Sequence, residues 1–157
     1  MTVVFTLAGG LLLVICGVAG GFAAAIREQN KWQTAHSFLR LLEYTADSIH
    51  YKGVPAEEVL STAAAYPEFA GLGIGSCRRF KELPIPEMFE SALRSELQGD
   101  LQALELCGRE SACQVLESMT HLCRPREEAL HQNARLALRL YPRLGGCMGA
   151  LAAILLI

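Results

Sequence analysis

Charged positions are confined to the interior of this chain. From Val3 to Ile26 there is no Lys, Arg, Asp or Glu, and from Leu144 to Ile157 there is none either. As a helix, Val3–Ile26 extends about 36 Å at ~1.5 Å per residue. That length crosses a hydrocarbon core about 30 Å thick with some tilt. The second apolar segment reaches only about 21 Å. It can begin further back near Leu140 with Arg143 reaching the headgroups, or it can re-enter or lie in the plane of the membrane, and the pattern leaves these open. The layout predicts a transmembrane helix over 1–26, a polar domain over 27–143 and a C-terminal membrane segment over 144–157.

Between the apolar ends the period is helical. Phe38, Leu41, Leu42, Thr45 and Ile49 recur at three-to-four spacing, with Arg40, Glu43 and Asp47 off that face. The run predicts a helix over Gln29–Lys52 that stops at Gly53, a favoured residue just past a helix end. Pro55 at the first helical position, followed by Glu57 and Glu58 in the first turn, predicts a second helix over Pro55–Tyr66. Val59, Leu60 and Ala63 form its buried side. Pro67 to Gly75 reads as a loop. Ser76–Leu83 and Glu87–Leu97 read as short helices, the latter closed by Gly99. Asp100 caps a further helix carrying Leu101, Leu104 and Leu106 and ending at Gly108. A last helix runs from about Ser111 to Leu140 on Val115, Leu116, Met119, Leu122, Leu130, Ala134, Leu138 and Tyr141, with Pro125 expected to kink or split it. No alternating pattern marks a strand, so the fold class expected is all-α, a compact helical bundle between two membrane segments.

Arg27 and Lys31 follow the first apolar segment, and Arg135, Arg139 and Arg143 precede the second; neither outer tip carries a Lys or Arg. Trp32 and Tyr141 lie on the same inner side. By the positive-inside rule the middle domain is cytoplasmic and both ends face the far side. These basic residues serve topology and headgroup attraction; a docking patch for an acidic partner is the sharper alternative. A secreted disulfide-linked binding protein, released by cleavage after Ala25, is another reading, since Ala23-Ala24-Ala25 offers a cleavage site and the cysteine count is even. Against it, the leader lacks a basic start and its apolar run exceeds the usual ~7–15 residues.

The net charge of -2 gives no reason to expect nucleic acid as a partner. Six cysteines, at 16, 77, 107, 113, 123 and 147, are expected as reduced thiols in a cytoplasmic domain and its anchors. With His121 and His131 they lack zinc-ligand spacing. Gly71-Leu72-Gly73-Ile74-Gly75 follows no strand and lacks the remainder of a nucleotide-binding signature. His36, His50, His121 and His131 sit among polar neighbours. No nucleophile elbow, metalloprotease or phosphate-loop sequence occurs, so no catalytic residue, metal, cofactor or small-molecule substrate is expected. The apolar segments carry the clearest positional signal. Gly17 and Gly21 are four apart, as are Gly145 and Gly149, extended by Gly20 with Ala24 and by Ala153. Small residues at this spacing let another helix backbone approach closely, and these four glycines are the candidate helix-packing positions.

Two stretches resemble a known family. Leu41-Leu42-Glu43 through Ile49-His50-Tyr51-Lys52-Gly53-Val54-Pro55-Ala56-Glu57-Glu58-Val59-Leu60 is similar to the signature of the stage III sporulation protein AB family. So is Leu140-Tyr141-Pro142-Arg143-Leu144-Gly145-Gly146 with the apolar run after it. The plan of the chain is similar throughout, while the stretch from Glu68 to Leu106 departs from the family. The resemblance implies a fold like the cytoplasmic domain of the type II secretion F protein. It also implies a non-enzymatic role in a secretion-like channel between mother cell and forespore. The implied partners are a secretion-type ATPase, stage III sporulation protein AA, and the membrane components of that complex. Glu57 and Glu58 are candidate contacts, although helix capping also accounts for them. The platform subunit of a pilus or type II secretion machine is the neighbouring alternative, but such proteins usually duplicate the helical domain and carry more spans.

Overall fold

The computed structural model describes the backbone of residues 2–156 and the side chains of residues 9–55 and 58–155. It is 86% helical, with no strand among the described residues, so the class is all-α. Two long helices, α1 (Thr2–Asp47) and α4 (Arg109–Leu156), flank the shorter α2 (Ala56–Ala64) and α3 (Ser91–Leu104). The chain divides into two compact units. One comprises 1–32 with 130–157, and the other is 33–129. These boundaries fall inside those set by charge at 27 and 143. Charge marks where a helix turns polar, whereas the second unit begins only where the connecting segments pack on the long helices.

In the 33–129 unit, α1 buries Phe38, Leu41, Leu42 and Thr45, and the turn after it buries Ile49, the face expected from the period. Thr45 is buried without cost because its Oγ1 donates to the Leu41 carbonyl at 2.7 Å. The helix ends in a π-helical turn, Ser48–Lys52, closed by Gly53 at φ 62°, ψ 26°. Only glycine takes this left-handed conformation without strain. Pro55 is the N-cap of α2 rather than its first residue, and its carbonyl receives the backbone N–H of Glu58 at 3.0 Å and of Val59 at 3.2 Å. Val59, Leu60 and Ala63 of α2 are buried as expected.

Several connecting segments differ from expectation. Pro67–Gly75 is not open loop: Pro67–Leu72 and Ile74–Ser76 form 3-10 turns joined at Gly73, φ 68°. Leu72 and Ile74, on either side of Gly73, are both buried, and the left-handed Gly73 makes the bend between them. The helix expected over Ser76–Leu83 shrinks to one 3-10 turn, Phe80–Glu82. Phe80 and Leu83 act as plugs rather than as a helix face.

The two helices expected either side of Gly99 are one, α3. Leu97, Leu101 and Leu104 form an unbroken buried stripe across it. That stripe outweighs the ~1 kcal/mol penalty of an exposed mid-helix glycine. Likewise α4 is not split at Pro125. The proline ring is exposed, and Ala112, Leu116, Met119 and Cys123 are buried on the opposite face.

The unit formed by 1–32 and 130–157 is an antiparallel helix pair. Gly149 meets Leu13 and Val14, Gly145 meets Gly17, and Tyr141 and Pro142 meet Gly21, so numbers rise on one helix as they fall on the other. Its buried hydrophobic residues, among those described, are small: Ala25, Ala134, Ala137 and Ala153. Its large apolar residues point outward, among them Leu11, Leu12, Ile15, Phe22, Leu144, Met148 and Ile154. Leu138 and Tyr141, expected on the buried face, are exposed, because the close backbone approach leaves room only for Ala134 and Ala137 between the helices. No re-entrant turn interrupts α4 among the described residues.

Candidate functional site

The four glycines singled out by spacing come together at one seam. A Cβ added to Gly17 would meet the Gly145 carbonyl carbon at 3.1 Å and the Gly149 Cα at 3.3 Å. One on Gly149 would meet the Leu13 carbonyl oxygen at 2.7 Å, and one on Gly21 the Pro142 Cα at 2.9 Å. Contacts this short are with backbone, so no rotamer change relieves them. Gly20 is off the seam, with nothing within 4 Å of an added Cβ. Where the pair turns polar, Trp32 stacks on His131 with ring centroids 4.5 Å apart and planes 16° from parallel. Lys31, one of the basic residues after the first apolar segment, pairs with Glu28 at 2.6 Å.

A second feature lies in the 33–129 unit, at the turn between α1 and α2. The π turn leaves carbonyls without their usual helical partners, and the Arg109 guanidinium from the first turn of α4 donates to that of His50. The same guanidinium lies over Gly53, where an added Cβ would meet Arg109 Nη1 at 3.4 Å. Beside this tie is an open groove of about 480 Å³. Its floor is apolar, formed by Ile49, Phe80, Leu104 and Ala112, and Arg78, Arg79 and Arg109 stand at its rim. Sequence reading missed these arginines. The available signal was Arg78-Arg79-Phe80-Lys81, a basic run around an aromatic residue; placing it in a short helix hid its convergence with Arg109.

The remaining chemistry-bearing residues do not assemble. His36 pairs with Glu127 at 3.1 Å, while His50 and His121 are exposed. Among the described residues no three His, Cys, Asp or Glu side chains form a metal-binding group. All six cysteines are free. Burial pushes the Cys123 thiol up to about 12. Burial, and then the nearby Glu82 carboxylate, raises that of Cys77, partly offset by a hydrogen bond with Ser76. The Glu57 side chain lies outside the described residues. Glu58 is exposed, and its backbone carbonyl accepts from Ser61 Oγ at 3.0 Å and Thr62 Oγ1 at 2.7 Å.

Among the described residues one helix is long and apolar enough to cross a membrane, Gly9–Lys52, and only 6% of its most apolar 18-residue stretch is buried. Comparison of the chain with family models, with curated proteins and with solved structures found no match.

Proposed function

We propose that this chain is a membrane-anchored, non-enzymatic platform component of the stage III sporulation channel complex. It sits in the mother-cell membrane facing the forespore and couples a cytoplasmic secretion-type ATPase, stage III sporulation protein AA, to the membrane subunits. Its 33–129 unit is then cytoplasmic and type II secretion F-like.

The observation that carries the reading is the inverted packing of the helix pair. Small residues face inward and large apolar residues outward, the arrangement favoured where lipid rather than water surrounds the helices. Lipid tails provide no hydrophobic drive between helices, so close backbone packing does the holding. The two stretches that resemble the sporulation family also fall on the two features described above. Residues 41–60 build the π turn and the first half of α2, and residues 140–146 supply Tyr141, Pro142 and Gly145 to the seam.

The test is affinity purification of tagged full-length protein from detergent-solubilised sporulating cells, with partners identified by mass spectrometry. Recovery of the ATPase with the membrane subunits is the expected outcome. Their absence, with the protein intact in the membrane, overturns the coupling role.

A further inference from the structure

The groove beside the α1–α2 turn combines three properties that point to one kind of occupant. Its floor is apolar, and its rim carries three guanidinium groups. No carboxylate among the described residues lies within ion-pair distance of the Arg78, Arg79 or Arg109 side chain. Glu82 accepts the Arg78 backbone N–H at 3.0 Å rather than its guanidinium. Glu105, also at the rim, pairs instead with Lys81 at 3.9 Å. The contrast within the same unit is clear. Arg40 pairs with Glu43 and Glu68, Arg124 with Glu43, and Arg126 with Glu90. Lys52 and Arg94 of this unit likewise have no ion pair among the described residues, but at the groove three such arginines converge on one apolar floor.

The third property is apolar exposure. Three large hydrophobic residues of this unit are exposed among those described, Tyr51, Tyr66 and Leu106. The two most exposed, Leu106 at 91% and Tyr51 at 78%, both come from segments that line the groove. Leu106 lies between the lining residues Glu105 and Cys107, and Tyr51 lies between Ile49 and Gly53. A single exposed leucine means little, and neither side chain lines the groove itself; each flanks it through its neighbours in sequence.

We propose that this groove docks a peptide segment of a partner protein in which carboxylates flank an apolar side chain. The apolar side chain fills the floor against Ile49, Phe80 and Leu104. The carboxylates take the planar forks of Arg78 and Arg79, a geometry that guanidinium matches with paired hydrogen bonds. Arg109 holds the turn through the His50 carbonyl and adds positive field at the rim. A bare phosphate would use the arginines but leave the apolar floor uncovered. The inference goes beyond the platform role and holds whichever machine the chain serves.

The test uses full-length protein in nanodiscs of zwitterionic lipid and a fluorescein-labelled octapeptide. The peptide has a Leu-Phe centre flanked by three acidic residues on each side; its control carries the matching amides. Fluorescence anisotropy should show the acidic peptide binding at least tenfold more tightly than the amide control. Arg78→Gln combined with Arg79→Gln should weaken it about tenfold, and Leu106→Ala should weaken it severalfold, with the circular-dichroism spectrum and Tm unchanged. Equal binding of the two peptides, or full binding by the double variant, overturns the proposal. So does failure of the peptide to bind while phosphatidylglycerol vesicles or inorganic phosphate bind and lose affinity in the double variant. Because no sporulating cell is involved, this outcome is independent of the purification experiment.

Discussion

At Gly145 an added side chain would run into the backbone of Gly17, and at Gly149 into the Leu13 carbonyl, whereas Gly20, next to Gly21 but on another face of the helix, faces open space. Gly145→Leu should therefore destabilise the helix pair by about 1–3 kcal/mol, the usual cost of overpacking. Gly20→Leu should change it by less than about 0.5 kcal/mol, as surface substitutions do. Unfolding by SDS titration in mixed micelles measures both, and equal effects would remove the seam from the account.

Cys123 supplies a second residue-scale test. Its thiol is buried, and thiolate is the reacting form, so iodoacetamide should modify Cys107 in the folded protein and Cys123 only after unfolding. The raised thiol pKa means the folded state keeps a proton that the unfolded chain releases. That contribution to stability is complete below about pH 9 and is lost as pH rises towards about 12. Cys123→Ala should flatten the fall in Tm over that window. An unchanged slope would show that other groups govern it.

At the scale of elements, α3 and the π turn test opposite uses of glycine. Gly99 is exposed in ordinary helical conformation, with nothing within 4 Å of an added Cβ. Gly99→Ala should stabilise the protein by about 0.5–1 kcal/mol. Gly53 has φ 62°, so Gly53→Ala should destabilise it by about 1 kcal/mol and loosen the Arg109 tie to His50. Chemical denaturation in detergent reads both signs.

These two glycines also show what was legible in the sequence. Gly53 is legible as a helix end, because the apolar period stops there. Gly99 looks like one in the sequence but is not, because the stripe of Leu97, Leu101 and Leu104 continues across it and packing overrides propensity. The α1 face and the buried side of α2 were plain from their period. The 3-10 turns around Gly73 were not, since their buried Leu72 and Ile74 answer to a tertiary pocket rather than to a local repeat. The seam glycines declared themselves by spacing. The groove arginines come from separate segments and carry no spacing to read.

For the whole molecule, the proposed topology puts the 33–129 unit in the cytoplasm. A variant keeping Cys107 as its only cysteine, treated with a membrane-impermeant maleimide, should be labelled in inverted vesicles and protected in sealed right-side-out ones. The reverse pattern would overturn the orientation drawn from Arg27, Lys31, Arg135, Arg139 and Arg143.

The antiparallel seam has a consequence for biosynthesis. Gly145 lies 128 positions after Gly17, with the entire 33–129 unit encoded between them. At ~5–20 residues per second, the ribosome takes roughly 6 to 26 seconds to supply the second half of the seam. Under the proposed membrane topology, the first helix presents Gly17 and Gly21 bare to the bilayer during that interval, while the polar unit is already free to fold. Closure of the seam is therefore the last assembly event, and any other small-residue helix nearby competes for the first helix until the ribosome finishes.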